Sequence, residues 1–390
     1  MKFLFYVLLF GSLISLVGAY EINSPNNETI FSWLEPPDII LFQSPLLSIS
    51  FLLILGILTI FILRFLLRVK LPKIGLSDRV LRSLFAISIF IFIAAWYWDG
   101  WWHVALGRDR FFSPPHVSIY INLFILFFST LFLYKGSNNR IYAVALFTQS
   151  ISLFCGIVDI FWHGYFGVEK LISPLIVWSP PHMASFASIF IGMVFILQDW
   201  IKQYSKNKDQ LQFFQIVLLS GSAFSVLGIL TSPLQPLGWH HILGVWGIVI
   251  TTFFAAFYLI YLAYKMPQTG IVTLTMLILI VFITFESHTF APGLSLPPHA
   301  TPPFWLHFHA TILAVVWLDF INLRKYRPVL MGTISGFLLA LVYAIFWRFV
   351  QNETFSYSFN ESILFVIAGT IGGSCAGLLY NYINKRKIIE

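Results

Sequence analysis

The chain has 390 residues, 58% of them hydrophobic and only 10% charged, with mean hydropathy +0.84. A soluble domain carries about 25% charged residues, so this composition excludes a sizeable water-soluble domain and indicates a polytopic membrane protein. The net charge of +7 implies no nucleic-acid partner, because the basic residues gather in alternate loops between apolar runs.

Residues 1–19 (MKFLFYVLLFGSLISLVGA) join Lys2 and an apolar stretch to Val17 and Ala19, the small residues of a cleavage site. That is the pattern of a signal peptide, with an uncleaved first span as the other reading. Residues 20–45 then form an extracytoplasmic segment. Apolar runs sufficient to cross a roughly 30 Å hydrocarbon core as helices follow near 46–68, 80–103, 115–134, 141–163, 182–201, 212–231, 239–264, 270–288, 304–322, 329–350 and 361–384. Unpaired backbone is not tolerated in lipid, and the alternating segments of a barrel are missing, so these spans are helical. The expected fold is all-α: about eleven transmembrane helices, five in a region over 46–201 and six over 202–390. Cys155 and Cys375 both lie inside apolar spans and form no disulfide framework.

Orientation follows from the basic residues. Arg64, Arg68, Lys70, Lys73, Arg79 and Arg82 flank the first connection; Lys135 and Arg140 mark the third, and Lys202, Lys206 and Lys208 the fifth. Lys265 lies in the seventh, Arg324, Lys325 and Arg327 in the ninth, and Lys385, Arg386 and Lys387 in the tail. Every odd connection is basic and therefore cytoplasmic, as is the C-terminus. All ten histidines then fall at or near the outer ends of spans. Asp199 and Asp319 fall at cytoplasmic helix ends, where exposure is the expectation.

Two outward connections share a plan. In WDGWWHVALGRDRFFSPPH, Asp99 and His103 are four apart on one helix face, and His116 follows a Ser-Pro-Pro helix start. Serine can cap such a start, and proline has no N–H to leave unpaired. Asp159, His163 and His182 repeat the arrangement, again through Ser-Pro-Pro-His. One carboxylate and two imidazoles make a three-ligand transition-metal site with open positions; imidazole suits copper, zinc, iron and nickel, and affinity peaks at Cu(II). Trp98, Trp101, Trp102, Trp162 and Trp178 fit interfacial anchors. Arg108, Asp109 and Arg110 read as a solvated turn, and Glu169 as a surface acid. Further on, Glu286, His288, His299, His307 and His309 form a candidate third cluster, although Glu286 and His288 are two apart and share no face of a regular helix. His240 and His241 follow a proline-rich loop and carry no assigned role.

The first motif resembles the copper-binding helix hairpin in the C subunit of particulate methane and ammonia monooxygenases. That family's pattern is Asp-x3-His-x12-His, with an Arg-Asp pair before an aromatic and a Pro-containing helix start. Asp99, His103 and His116 keep the spacing, with Arg108, Asp109, Phe112 and Ser113 to Pro115 between them. The resemblance covers residues 80–200 and implies copper at these three residues, a second site at Asp159, His163 and His182, and partner membrane subunits. Asp159 stands where the family has asparagine, and the spacing to His182 is longer.

The resulting expectation is an integral membrane, copper-binding protein, a divergent or accessory subunit of a copper-dependent monooxygenase, with its histidines on the extracytoplasmic side of the cell membrane. Two alternatives stay open. One is a protein that handles or transports metal or haem. It is disfavoured by spans rich in Ile, Leu and Phe below the histidines, with Ser and Thr only scattered among them. The other is a non-haem iron oxygenase, since two histidines and a carboxylate also describe the iron facial triad. Zinc fits the same donors.

Overall fold

The computed structural model describes residues 45–70, 75–106, 113–166, 180–231, 245–266, 268–289, 312, 314–320, 327–349 and 359–386. Over some stretches, among them 100–106, 163–166 and 283–289, it describes the backbone alone. The expected signal peptide over 1–19, and all of the following segment up to residue 44, lie outside the described residues. All regular structure among the described residues is helical: α1 (Pro45–Arg68), α2 (Asp78–Leu106), α3 (Pro114–Ser137), α4 (Arg140–Phe166), α5 (Pro180–Asn207), α6 (Gln210–Thr231), α7 (Val245–Lys265), α8 (Ile271–Thr289), α9 (Trp317–Phe320), α10 (Pro328–Phe349) and α11 (Phe359–Arg386).

Eight of these, α1 to α7 and α11, are long and apolar enough to cross a membrane, and Ile271–Phe282 and Pro328–Val342 are shorter apolar stretches. The protein is a multi-pass helical membrane bundle. Ten of the expected spans coincide with long helices, while the run near 304–322 contributes only the short α9 among the described residues.

Local chemistry explains where the helices begin and end. Proline opens α1, α3, α5 and α10, where its missing N–H is no loss and its fixed φ suits the first turn. Asn138 closes α3 at φ 51°, in the left-handed region, with its N–H on Tyr134 O. Asn139 then accepts from Ile141 N at 3.0 Å and starts α4. Lys208 closes α5 at φ 48°, and Asp209 starts α6 by accepting from Leu211 N at 3.1 Å. Both connections are two-residue turns: one residue in the left-handed conformation, then a side chain that caps the next helix.

The chain divides within α5 into two compact units, Met1–Ile196 and Leu197–Glu390. In the first, α2 packs on α3, α3 on α4 and α4 on α1. Only 6% of the apolar stretch of α1 is buried among the described residues. It is held by Leu63 among Phe127, Leu131 and Leu146, and by Lys135, whose ammonium donates to Leu67 O at 2.9 Å and Val69 O at 2.7 Å. A cation on the unsatisfied carbonyls at a helix C-terminus satisfies them and complements the dipole. Lys135→Met is expected to lower stability by about 1–2 kcal/mol, measured as the midpoint of unfolding in sodium dodecyl sulfate.

In the second unit, α10 and α11 meet through glycine. A Cβ added at Gly332, Gly336, Gly373 or Gly377 comes within 3.0 Å of backbone on the facing helix. The other side of α11 places Gly372 against Val249 and Thr252 of α7, and Ala376 and Tyr380 pack with Ala256 and Ile260. Small residues at four-residue spacing let helix backbones approach closely in lipid. On α6, Ser220 bonds Thr275 of α8 at 2.8 Å, and its carbonyl accepts from the Tyr258 hydroxyl of α7 at 2.9 Å.

Two acids differ from expectation. Asp199 is buried and accepts from Gln203 Nε2 at 2.7 Å. Asp319 is half-buried and accepts from Val272 N at 3.2 Å and Thr273 N at 2.7 Å, so it caps α8 from α9. The free N–H groups of a helix start draw a carboxylate even from a distant segment. Asp319→Ala is expected to raise hydrogen exchange over residues 271–274 selectively, and uniform protection would count against the cap.

Candidate metal centre

Each Asp sits near the end of one helix and its His in the first turn of the next, at the same end of the first unit. His116 Nε2 stands 3.2 Å from Asp99 Oδ1, linking α2 to α3. His182 Nε2 stands 3.1 Å from Asp159 Oδ2, linking α4 to α5. All four residues are buried; Asp99, at 2% exposure, is the most enclosed. A carboxylate in an apolar membrane bundle is costly, so it persists only with partners that favour it. The structure brings both pairs together at nearly the same separation.

Four of the six expected ligands are therefore placed. His103 and His163 lie on α2 and α4 one helical turn past Asp99 and Asp159, but their side chains lie outside the described residues. Among the described residues no group of three His, Cys, Asp or Glu side chains gathers. The pairs nonetheless fit an ion. Two donors bound side by side at about 2.0–2.1 Å from one ion stand about 2.9–3.4 Å apart, and both separations fall in that range. The same separation serves a hydrogen bond, so the donors are in place with or without an ion.

For the third cluster, Glu286 and His288 lie on α8, where the backbone alone is described. His240, His241, His299, His307 and His309 lie outside the described residues, as do Arg108, Asp109, Arg110 and Glu169. Of the tryptophans named as anchors, Trp98 is buried.

Ser113 corrects one expectation. It occupies the N-cap position of α3, but its hydroxyl makes no capping bond, and it is buried without a partner among the described residues. A cap oxygen is served by the N–H groups two or three positions on. Pro115 has replaced the first of these, which leaves only that of His116.

Sequence reasoning missed two aromatic neighbours. Trp96 of α2 lies edge-on to the His182 ring, centroids 5.3 Å apart and planes at 88°. Tyr120 of α3 is 6.3 Å from the His116 ring and donates to Gly156 O of α4 at 3.5 Å. Below the pairs, Ser and Thr are less scattered than they looked. Ser152 bonds Ser185, Gln149 Nε2 donates to Thr130 Oγ1 at 3.0 Å, and Ser188 donates to Ser185 O at 2.8 Å. The first two of these bonds join helices, as polar side chains do in lipid, and the third lies within α5.

Comparison with family models, with curated proteins and with solved structures finds no match for the chain.

Proposed function

We propose that the protein is an integral membrane transition-metal-binding protein whose two Asp/His hairpins each hold one ion, copper before iron or zinc. The observation that carries this reading is the recurrence of one buried carboxylate–imidazole pair, at 3.2 and 3.1 Å, at equivalent places in two hairpins. Asp99 and His116 hold the first ion and Asp159 and His182 the second, with His103 and His163 as third ligands. The remaining coordination positions stay open to water or a small substrate.

When bound, copper supplies dioxygen chemistry to such a site, as the resemblance to copper membrane monooxygenases implies. The chain's own residues provide the donors, partly neutralise the ion's charge through one carboxylate, and exclude bulk water by burial. The same reading places the sites on the extracytoplasmic side, the signal peptide at 1–19, eleven spans after it, and partner membrane subunits beside the chain. The mutually bonded Ser, Thr and Gln side chains below the pairs support a site that holds an ion over a path that conducts one.

The test is elemental analysis of detergent-purified protein, with an electron paramagnetic resonance spectrum of the same sample. About two coppers per chain, with nitrogen couplings from imidazole, is the expected result. Iron or haem in place of copper overturns the copper assignment, and absence of any metal overturns the reading.

A further inference from the structure

We propose that the two Asp–His pairs form one coupled unit, in which Trp96 and Tyr120 are positioning residues that carry the state of each pair to the other. The inference rests on reading the pairs as the functional site, and it adds that they do not act independently.

The second pair is packed partly against the first pair's hairpin. Trp96 belongs to α2 and sits one turn before Asp99, yet its ring lies against His182 of the second pair. Phe186 of α5, at 4.4 Å, and Phe92 of α2, at 6.3 Å, hold it in place. Its indole nitrogen is buried and finds no acceptor among the described residues, so ring packing alone fixes it. A shift of α2 at Asp99 moves Trp96, and Trp96 cannot move without displacing the imidazole it touches, because a close-packed interior transmits displacement.

A second link joins the same two hairpins on the His116 side. Tyr120 belongs to α3, one turn after His116, and its ring neighbours that histidine. Its hydroxyl donates to Gly156 O, three residues before Asp159 on α4. The Tyr120 ring packs directly on this glycine, where an added Cβ would meet Tyr120 Cε1 at 2.8 Å. The first hairpin thus touches both halves of the second pair, His182 through Trp96 and the Asp159 helix through Tyr120. Packed side chains and hydrogen bonds of this kind are what carries coupling between neighbouring sites.

The experiment uses the full chain in micelles, metal-free and labelled with 15N-histidine. The His182 imidazole signals are assigned by their loss in His182→Asn. Asp99→Asn is expected to shift the His182 signals when Trp96 is present and to leave them in place in a Trp96→Leu background. His182 signals that ignore Asp99→Asn, or that shift equally in both backgrounds, overturn the proposal. Should Trp96→Leu fail to fold, Tyr120→Phe keeps the ring and removes only the hydroxyl. There Asp159→Asn is expected to shift His116 less than it does beside tyrosine, and an equal shift overturns the second link.

A copper titration adds a readout that a merely structural role does not move. Asp99→Ala with His116→Ala is expected to weaken copper binding at the second pair about fivefold or more, and the loss should vanish with Trp96→Leu. Unchanged affinity overturns the coupling. Absence of copper binding in the parent protein overturns the metal assignment instead, while the imidazole signals still decide whether the pairs are coupled.

Discussion

Asp99→Ala and Asp159→Ala are each expected to remove about one copper per chain, and the double variant both, with helical content unchanged. The carboxylate is the only anionic donor described at each pair, and its charge offsets that of a divalent ion where water cannot. Without it only imidazole donors remain to hold the ion, and loss of the carboxylate partner in the metal-free protein costs about 1–3 kcal/mol. Elemental analysis and nitrogen hyperfine structure read the first effect, and circular dichroism during unfolding reads the second. A copper count that stays the same in both single variants would refute the ligand assignment. Asp159→Asn sharpens the comparison, because the resembling family carries asparagine at that place: it is expected to keep more copper than Asp159→Ala.

The second large effect belongs to a single methyl group. Gly373→Ala is expected to lower stability by about 2–4 kcal/mol, because the added Cβ meets Gly332 O and the Gly336 backbone at under 3.0 Å. Neither neighbour can swing aside as a long side chain could. Gly228→Ala in α6 is the matched control, since a Cβ there meets nothing within 4 Å. It is expected to be neutral or stabilising, because alanine loses less backbone freedom than glycine in a helix. The unfolding midpoint in sodium dodecyl sulfate should fall for Gly373→Ala and hold or rise for Gly228→Ala. Equal midpoints would show that α10 and α11 tolerate a wider separation than their glycines suggest.

Much of the bundle was legible in the sequence because lipid imposes a simple rule on helix length and polarity. Pro45, Pro114, Pro180 and Pro328 also marked helix starts to within a residue or two of the apolar runs. The Asp–His pairs were legible for a related reason: ionisable residues are rare in spans, so Asp99 and Asp159 stood out, and the same Ser-Pro-Pro-His start followed each. The glycine contact was equally visible, as Gly332 and Gly336 against Gly369, Gly373 and Gly377 at four-residue spacing, but apolar counting does not weigh it. Other features were hidden. No linear pattern places Trp96 of one hairpin on His182 of another, because that contact depends on how two hairpins pack. Asp319 reaches α8 across 47 residues, so its capping role has no local signature. Ser113 misled because the rule for serine caps assumes an N–H that Pro115 lacks.

The two-residue turns at Asn138–Asn139 and Lys208–Asp209 bear on how the chain is made. With so little slack, α3 cannot settle across a bilayer while α4 waits at a distance, nor α5 without α6. Each couple must be handed from the synthesis machinery into lipid as a hairpin, its antiparallel register set before any other helix arrives. Lengthening either turn with flexible residues should therefore slow or misdirect insertion far more than it weakens the finished protein. The defect would appear in newly made chains and be missing from equilibrium unfolding of those that succeed.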